Sequence, residues 1–287
     1  VIHTANHAYT GATTISEGTF QLGSGSSRGS LGNTTVTIDN GATLAYYRNN
    51  GMTLANTVSS SGTGTGSAGG TIEFLGTGNR NQSDYRIGGN STGFTGNVII
   101  RSGARLGIDS TNAIGDGTVT VDAGGGVFVR IGDDNEIANN FIIAGDGWLQ
   151  SAGRLGALRL ISGDVTGDVT LAGDARITAW TNQGGDIDGI ISDGGNGYGL
   201  EKTGSGSITL NGLNTYSGAT KLSGGTLYVG TLADGGTASS IGQSSSDAAN
   251  LVFAGGTLGY TGGDVTIDRN FQFTDGSNNT IRVDDST

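Results

Sequence analysis

The stretch "NTYSGATKLSGGTLYVG", Asn214 to Gly230, decides the fold because it comes back twice. "NHAYTGATTISEGTFQLG" from Asn6 repeats its order of Asn, aromatic, Gly, β-branched residue, Gly, Leu and Gly, and "NSTGFTGNVIIRSGARLGI" from Asn90 follows it more loosely. After each copy the chain passes through matching segments in one order. An aliphatic-Gly pair comes first: Leu31-Gly32, Ile114-Gly115, Ile241-Gly242. An alternating strand follows, "VTIDNGATLAY" from Val36, "VTVDAGGGVFV" from Val119 and "LVFAGGTLGY" from Leu251. Next are "MTLANTV" from Met52, "NEIANNFII" from Asn135 and "VTIDRNFQF" from Val265, and last "GTIEFLG" from Gly70 and "NTIRVDD" from Asn279. An ordered series of this kind is the mark of a solenoid, in which each unit buries its apolar face only against the next.

Within these segments the period is two. Val36 and Ile38 alternate with Thr37 and Asp39, Val119 and Val121 with Thr120 and Asp122, and Ile208 and Leu210 with Thr209. One face is apolar and the other carries Thr, Asp or Asn, as in half-buried strands; no comparable helical period appears. The spacing therefore predicts an all-β fold, a right-handed parallel β-helix (β-solenoid) forming an elongated rod. At roughly 20 to 25 residues per coil, about 12 to 14 coils give a length on the order of 60 Å. A β-sandwich is the alternative all-β architecture, disfavoured by the proline-free turns and the ordered repeat. Residues 1–287 are expected to be a single β-helix of three irregular super-repeats, about 6–89, 90–213 and 214–287. The middle one is expanded around 161–195, and the third stops short of a segment matching "SDYRIGG".

Composition agrees. The 287 residues include 57 glycines, no proline and no cysteine, with 34% hydrophobic and 14% charged. Proline is excluded from central strands because it cannot donate to the ladder, so its absence fits a chain whose segments pair on both sides. Glycine marks the corners. Without cysteine there is neither a disulfide framework nor a thiolate metal site. A formal charge of -11 argues against nucleic acid and anionic lipid as partners. No run reaches membrane-spanning length, so the chain is not expected to be membrane-embedded, and "VIHTANHAY" lacks the basic and apolar regions of a signal peptide.

At "LEKTGSGSITLNGLNTYSGATKLSGGTLYVG", Leu200 to Gly230, the sequence resembles the passenger-associated transport repeat of bacterial autotransporters, from the K-T-G-S-G strand through N-T-Y-S-G to G-G-T-L. The resemblance implies a right-handed β-helical passenger exported across an outer membrane, secreted or held at the cell surface, with the repeat assisting folding during export. Passengers on this scaffold include adhesins, toxins and proteases, so the resemblance fixes no activity.

Reactive groups are scarce. The only histidines are His3 and His7, which leaves Ser-His-Asp and Cys-His chemistry without material. Paired carboxylates are the one catalytic option. The densest acidic positions are Asp133, Asp134, Asp186, Asp188 and Asp193, and Arg176 is the basic residue nearest in sequence that a polysaccharide lyase would need. Aspartates in glycine-rich turns more often bond their own backbone, and the calcium pattern G-G-x-G-x-D is absent. No catalytic residue, cofactor or metal is expected. Trp148 and Trp180 both fall in the middle unit, and alternation after Ile177 and Ala179 turns Trp180 outward, so Trp180, Asp186 and Asp188 are the candidate ligand contacts. For Tyr9, Phe94 and Tyr216 stacking on neighbouring coils is expected. Three functions follow: a non-enzymatic structural or adhesive segment contacting host or matrix glycans or proteins; a subunit stacking end to end on itself, since an uncapped β-helix end exposes a strand edge; and a polysaccharide-active enzyme.

Overall fold

The computed structural model describes residues 1–61, 69–274 and 278–284. Apart from one short 3-10 turn, Ala248–Asn250, every regular element among them is a β-strand. Two compact units are present, one made of Val1–Ile131 with Trp148–Arg154 and the other of Gly132–Gly147 with Leu155–Thr287. No helix among the described residues is long and apolar enough to cross a membrane.

The first unit holds three parallel ladders. Ile2–His3, Thr19–Ser26, Thr43–Arg48, Thr71–Leu75, Asn97–Ile100 and Val119–Val121 form the first. The second runs through Met52–Leu54, Asp84–Ile87, Arg105–Ile108 and Gly126–Arg130. Thr13–Ile15, Val36–Ile38 and Val58–Ser60 make the third. Parallel neighbours need a crossover, and here the remaining faces of each coil supply it, which is the topology of a β-helix. Alternation then stacks like on like. Leu22, Tyr46, Phe74, Ile100 and Val121 are in register on successive coils and all but fully buried, each burial contributing about 1.5–3 kcal/mol. Outward residues pair along the ladder as well: Arg101 bridges Glu73 at 2.6 Å and Asp122 at 3.1 Å.

The second unit is a β-helix of the same kind. One ladder contains Phe141–Gly145, Val169–Thr178, Leu200–Thr203, Thr220–Leu222, Leu251–Phe253 and Gln272–Phe273. The other contains Glu136–Ile137, Asp164–Val165, Asp186–Ile187, Ser207–Leu210, Thr226–Val229, Thr257–Tyr260 and Thr280–Val283. The long strand Val169–Thr178 is matched on the next coil by two short strands, Ile191–Ser192 and Leu200–Thr203, with a glycine loop between them.

The repeated motif has the same job each time. Phe94 and Tyr216 lie fully buried, and the glycine of the following aliphatic-Gly pair packs onto the backbone of its own motif's aromatic. A Cβ at Gly32, Gly115 or Gly242 would strike the carbonyl oxygen of Tyr9, Phe94 or Tyr216 respectively. Tyr216 Oη pairs with Thr220 Oγ1 at 2.6 Å and Tyr9 Oη with Thr13 Oγ1 at 2.8 Å. In the looser copy both partners change together, to Phe94 and Val98, so no buried hydroxyl is stranded. Tyr9 itself is 40% exposed and its ring meets His7.

A charged residue, Lys202, occupies a core-facing strand position. Lys202 is in register with Leu222 and Phe253 and is 1% exposed. Its Nζ donates to the carbonyls of Thr203, Gly204, Gly206 and Gly224 at 2.9–3.2 Å. The ammonium closes a coil corner whose glycines turn their carbonyls inward.

Candidate functional site

The acidic positions divide by environment. Asp133 and Asp134, both exposed, are the central residues of the turn closed by the Asn135 N–H to Gly132 carbonyl bond. Asp186 is half-buried on the Asp164–Asp186–Thr209 column, and its amide donates to Asp164 Oδ1 at 2.7 Å. Burial first, then the charges of Asp186, Asp188 and Glu136, push the Asp164 carboxyl up, outweighing that hydrogen bond. Asp188 is exposed, and Asn211 Nδ2 reaches both Asp188 Oδ1 at 2.7 Å and Asp186 Oδ2 at 3.4 Å. Among the described residues no group of three or more His, Asp or Glu side chains is placed to hold a metal ion.

Asp193 is a structural anchor, not a surface acid. It is 1% exposed and its carboxylate accepts the amides of Gly195, Gly197, Tyr198 and Ser217 and the Ser217 hydroxyl, all within 3.1 Å. Burial alone would raise this carboxyl; the bonds from Ser217, Gly195 and Tyr198 overcome it and hold the group below the usual aspartate range. A depressed folded-state value means the contribution is complete above the ordinary value of 3.8 and is lost as pH falls through the folded value. Asp193→Asn should therefore be less stable than the parent at neutral pH by about 2 kcal/mol. That gap should shrink in acid, as read by hydrogen exchange over residues 193–198 at a series of pH values; a gap independent of pH would count against the cage.

Trp180 and the acids do not share partners. Trp180 ends the strand region after Thr178 and is 37% exposed. The Arg159 guanidinium lies 5.6 Å from its ring, and Gln183 Oε1 accepts both from Arg159, at 2.8 and 3.1 Å, and from the Trp180 amide. Trp148, by contrast, is buried in the first unit: its indole N–H is shared by the Gln82 and Gly103 carbonyls, and Arg105 stacks 4.6 Å from its ring.

Arg176 faces Glu201 rather than Asp186 or Asp188. Arg176, Glu201 and Lys221 are in register on three consecutive strands, with Arg176 Nη2 2.8 Å and Lys221 Nζ 3.0 Å from the Glu201 carboxylate. Ser223 Oγ donates to the same group at 2.6 Å. Burial pushes Glu201 up, but Ser223, Lys221 and Arg176 together hold it below the ordinary glutamate range, so it stays ionised. Beside this row the chain opens a cleft of about 420 Å³ lined by Asp146, Asp174, Gly197, Gly199, Ala219 and the charged row. Glu201 and Lys221 lie within the repeat that starts at Leu200, but Asp174 and Arg176 lie outside it, and the coil register brings the four together.

The passenger-associated-transport-repeat family model matches residues 3–22 and 200–229, the two copies whose Tyr and Thr pair through their hydroxyls. Over 260 residues the chain is 36% identical to the Adhesin BmaC autotransporter of Brucella suis biovar 1 (strain 1330). The chain is a β-helix of the autotransporter passenger type. The alignment takes in 83% of this passenger β-helix chain and 7% of that adhesin, so the chain spans a small part of the relative's length. No solved structure matches it significantly. A passenger β-helix of this type works outside the cell, secreted or at the bacterial surface.

Proposed function

We propose that this passenger β-helix is a non-enzymatic adhesive segment, a stiff repeat whose lateral faces contact host or matrix glycans or proteins. The observation that carries this reading is the similarity of most of the chain to a stretch of an adhesin. The site chemistry supports it. Asp193 is consumed by its own loop, Arg176 by Glu201, and Asp186 and Asp188 share Asn211. Beads coated with the purified chain should bind cultured epithelial cells or matrix proteins several-fold above beads coated with an unrelated β-helix, and soluble chain should compete. Binding at the level of the control would sink the reading. Release of reducing ends from a polysaccharide panel, abolished by Asp186→Asn or Asp188→Asn, would replace it with the enzyme.

A further inference from the structure

The cleft on the second unit has the chemistry of a binding site, and we infer that it takes a neutral pyranose of a glycan chain. This rests on the adhesive reading above and names the ligand class and the place.

The cleft exists because one outward column shortens from Asp174 to a glycine and an alanine on the next two coils. Asp174, Gly199 and Ala219 immediately precede the paired residues Ala175, Leu200 and Thr220, two places before Arg176, Glu201 and Lys221 on their strands, and the Ala175 and Leu200 amides donate to the Gly199 and Ala219 carbonyls. Where the charged row carries long side chains, the neighbouring column offers a glycine and a methyl group. The floor is consequently small and apolar, with the charged row as one wall and Gly197 of the Asp193 loop also in the lining. Its volume is within the range of about 300–1,000 Å³ typical of small-molecule sites.

The walls are set before any ligand arrives. Glu201 holds Arg176 and Lys221 at 2.8 and 3.0 Å, and the Asp193 carboxylate holds the loop through the Gly195, Gly197 and Tyr198 amides. Little side-chain or loop freedom remains to be lost on binding. Asp174 Oδ1 accepts the Gly199 amide at 2.8 Å, which fixes the carboxylate and leaves its second oxygen as an acceptor for a ligand hydroxyl.

Charge selects the class. The two bases Arg176 and Lys221 are matched by the two acids Asp174 and Glu201 in the lining, and the chain carries -11 overall, so an anionic sugar meets no excess of positive charge there. The bases are already paired with Glu201, and a charged ligand would have to break those pairs. A neutral sugar ring breaks none. Its C–H face suits the Gly199 and Ala219 floor, its hydroxyls donate to Asp174, and its oxygens accept remaining N–H groups of Lys221.

The test is amide chemical-shift mapping on the isotope-labelled full chain, titrated with galactose, mannose, N-acetylglucosamine and lactose, and with galacturonate as the anionic comparator. Saturable shifts at Gly197, Gly199 and Ala219 from at least one neutral sugar below about 50 mM, with galacturonate weaker, are expected. Ala219→Leu, which fills the floor, and Asp174→Asn, which removes the acceptor charge, should each weaken that sugar about tenfold; unchanged shifts elsewhere would show that the variants fold. No saturable shift at those amides, shifts from galacturonate as strong as from the neutral sugars, or variants that bind like the parent would each overturn the assignment. The bead assay keeps the two readings apart. Adhesion that persists in Ala219→Leu with no sugar at the cleft removes the site and keeps the adhesin. Sugar at the cleft without adhesion supports the site and removes the adhesin.

Discussion

Gly242→Ala is expected to cost about 4 kcal/mol, while Gly236→Ala, six residues earlier in the same loop, costs about 1. Both glycines have positive φ, +77° and +83°, so both substitutions carry the left-handed penalty. They differ in what the new methyl meets. At Gly236 nothing lies within 4 Å, whereas at Gly242 the Cβ would sit 2.6 Å from the Tyr216 carbonyl oxygen and 2.8–2.9 Å from its ring. Neither side can retreat. Tyr216 is fully buried and tied to Thr220 at 2.6 Å, and its carbonyl accepts the Gln243 amide at 2.9 Å. The Gly242 carbonyl accepts from Arg269 and Ser239, both at 2.9 Å. Urea unfolding, with hydrogen exchange over residues 214–243 to localise the loss, measures both variants. Equal costs would mean that backbone preference alone explains the glycine and that the aromatic contact contributes nothing. Because Gly32 and Gly115 meet Tyr9 and Phe94 in the same way, Gly115→Ala should resemble Gly242→Ala.

Much of this was legible because two periods coincide. Alternation told which residues enter the core, and Val36, Ile38, Val119, Val121, Ile208 and Leu210 are indeed buried. The recurring Asn-aromatic-Gly order marked one corner of the coil; Phe94 and Tyr216 are buried there, while Tyr9, expected to pack like them, is 40% exposed. The outward turn of Trp180 followed from the same alternation, and the residue is 37% exposed. The cleft stayed hidden for a different reason. Arg176 and Glu201 are 25 residues apart and Glu201 and Ser223 are 22 apart, so no fixed offset links the groups until the coil lengths are known. Asp193 could be recognised as a turn aspartate in "SDGGNGYG" but not as the acceptor of five bonds, because Ser217, from the next coil, supplies two of them. Lys202 is the instructive case. Alternation over Leu200, Glu201, Lys202 and Thr203 puts the lysine on the same face as Leu200, while its charge argues for solvent. Period wins, because four corner carbonyls are waiting inside.

Replacing that lysine tests the argument. Lys202→Met keeps the length of the side chain and an apolar stem among Leu222 and Phe253 but removes the donor, and it is expected to destabilise the second unit by about 3 kcal/mol at neutral pH. Two effects oppose each other. Burial of an ammonium is costly and methionine escapes that cost, which in some proteins makes apolar replacement of a buried charge stabilising. Against it stand the carbonyls of Thr203, Gly204, Gly206 and Gly224, bonded at 2.9–3.2 Å, which lose their donor together in a corner that water hardly reaches. Orphaned buried acceptors cost about 1–3 kcal/mol each where they cannot turn away, and Gly204 cannot turn freely: it has φ +77° and a Cβ there would strike the Ala179 carbonyl. The carbonyls therefore decide the sign. The pH dependence checks the same group independently. Burial pushes Lys202 down to about 8 from 10.5, so across that window the unfolded chain binds more protons than the folded one, and parent stability rises with pH relative to Lys202→Met. The buried Tyr46 and Tyr216, which are held above their ordinary value by burial, titrate identically in both proteins and cancel in the difference. Hydrogen exchange over residues 200–229, measured between pH 7 and pH 10 with the intrinsic rate corrected, reads that difference. A methionine variant as stable as the parent, with a flat difference across the window, would show that Lys202 is tolerated in the core and does not hold the corner together.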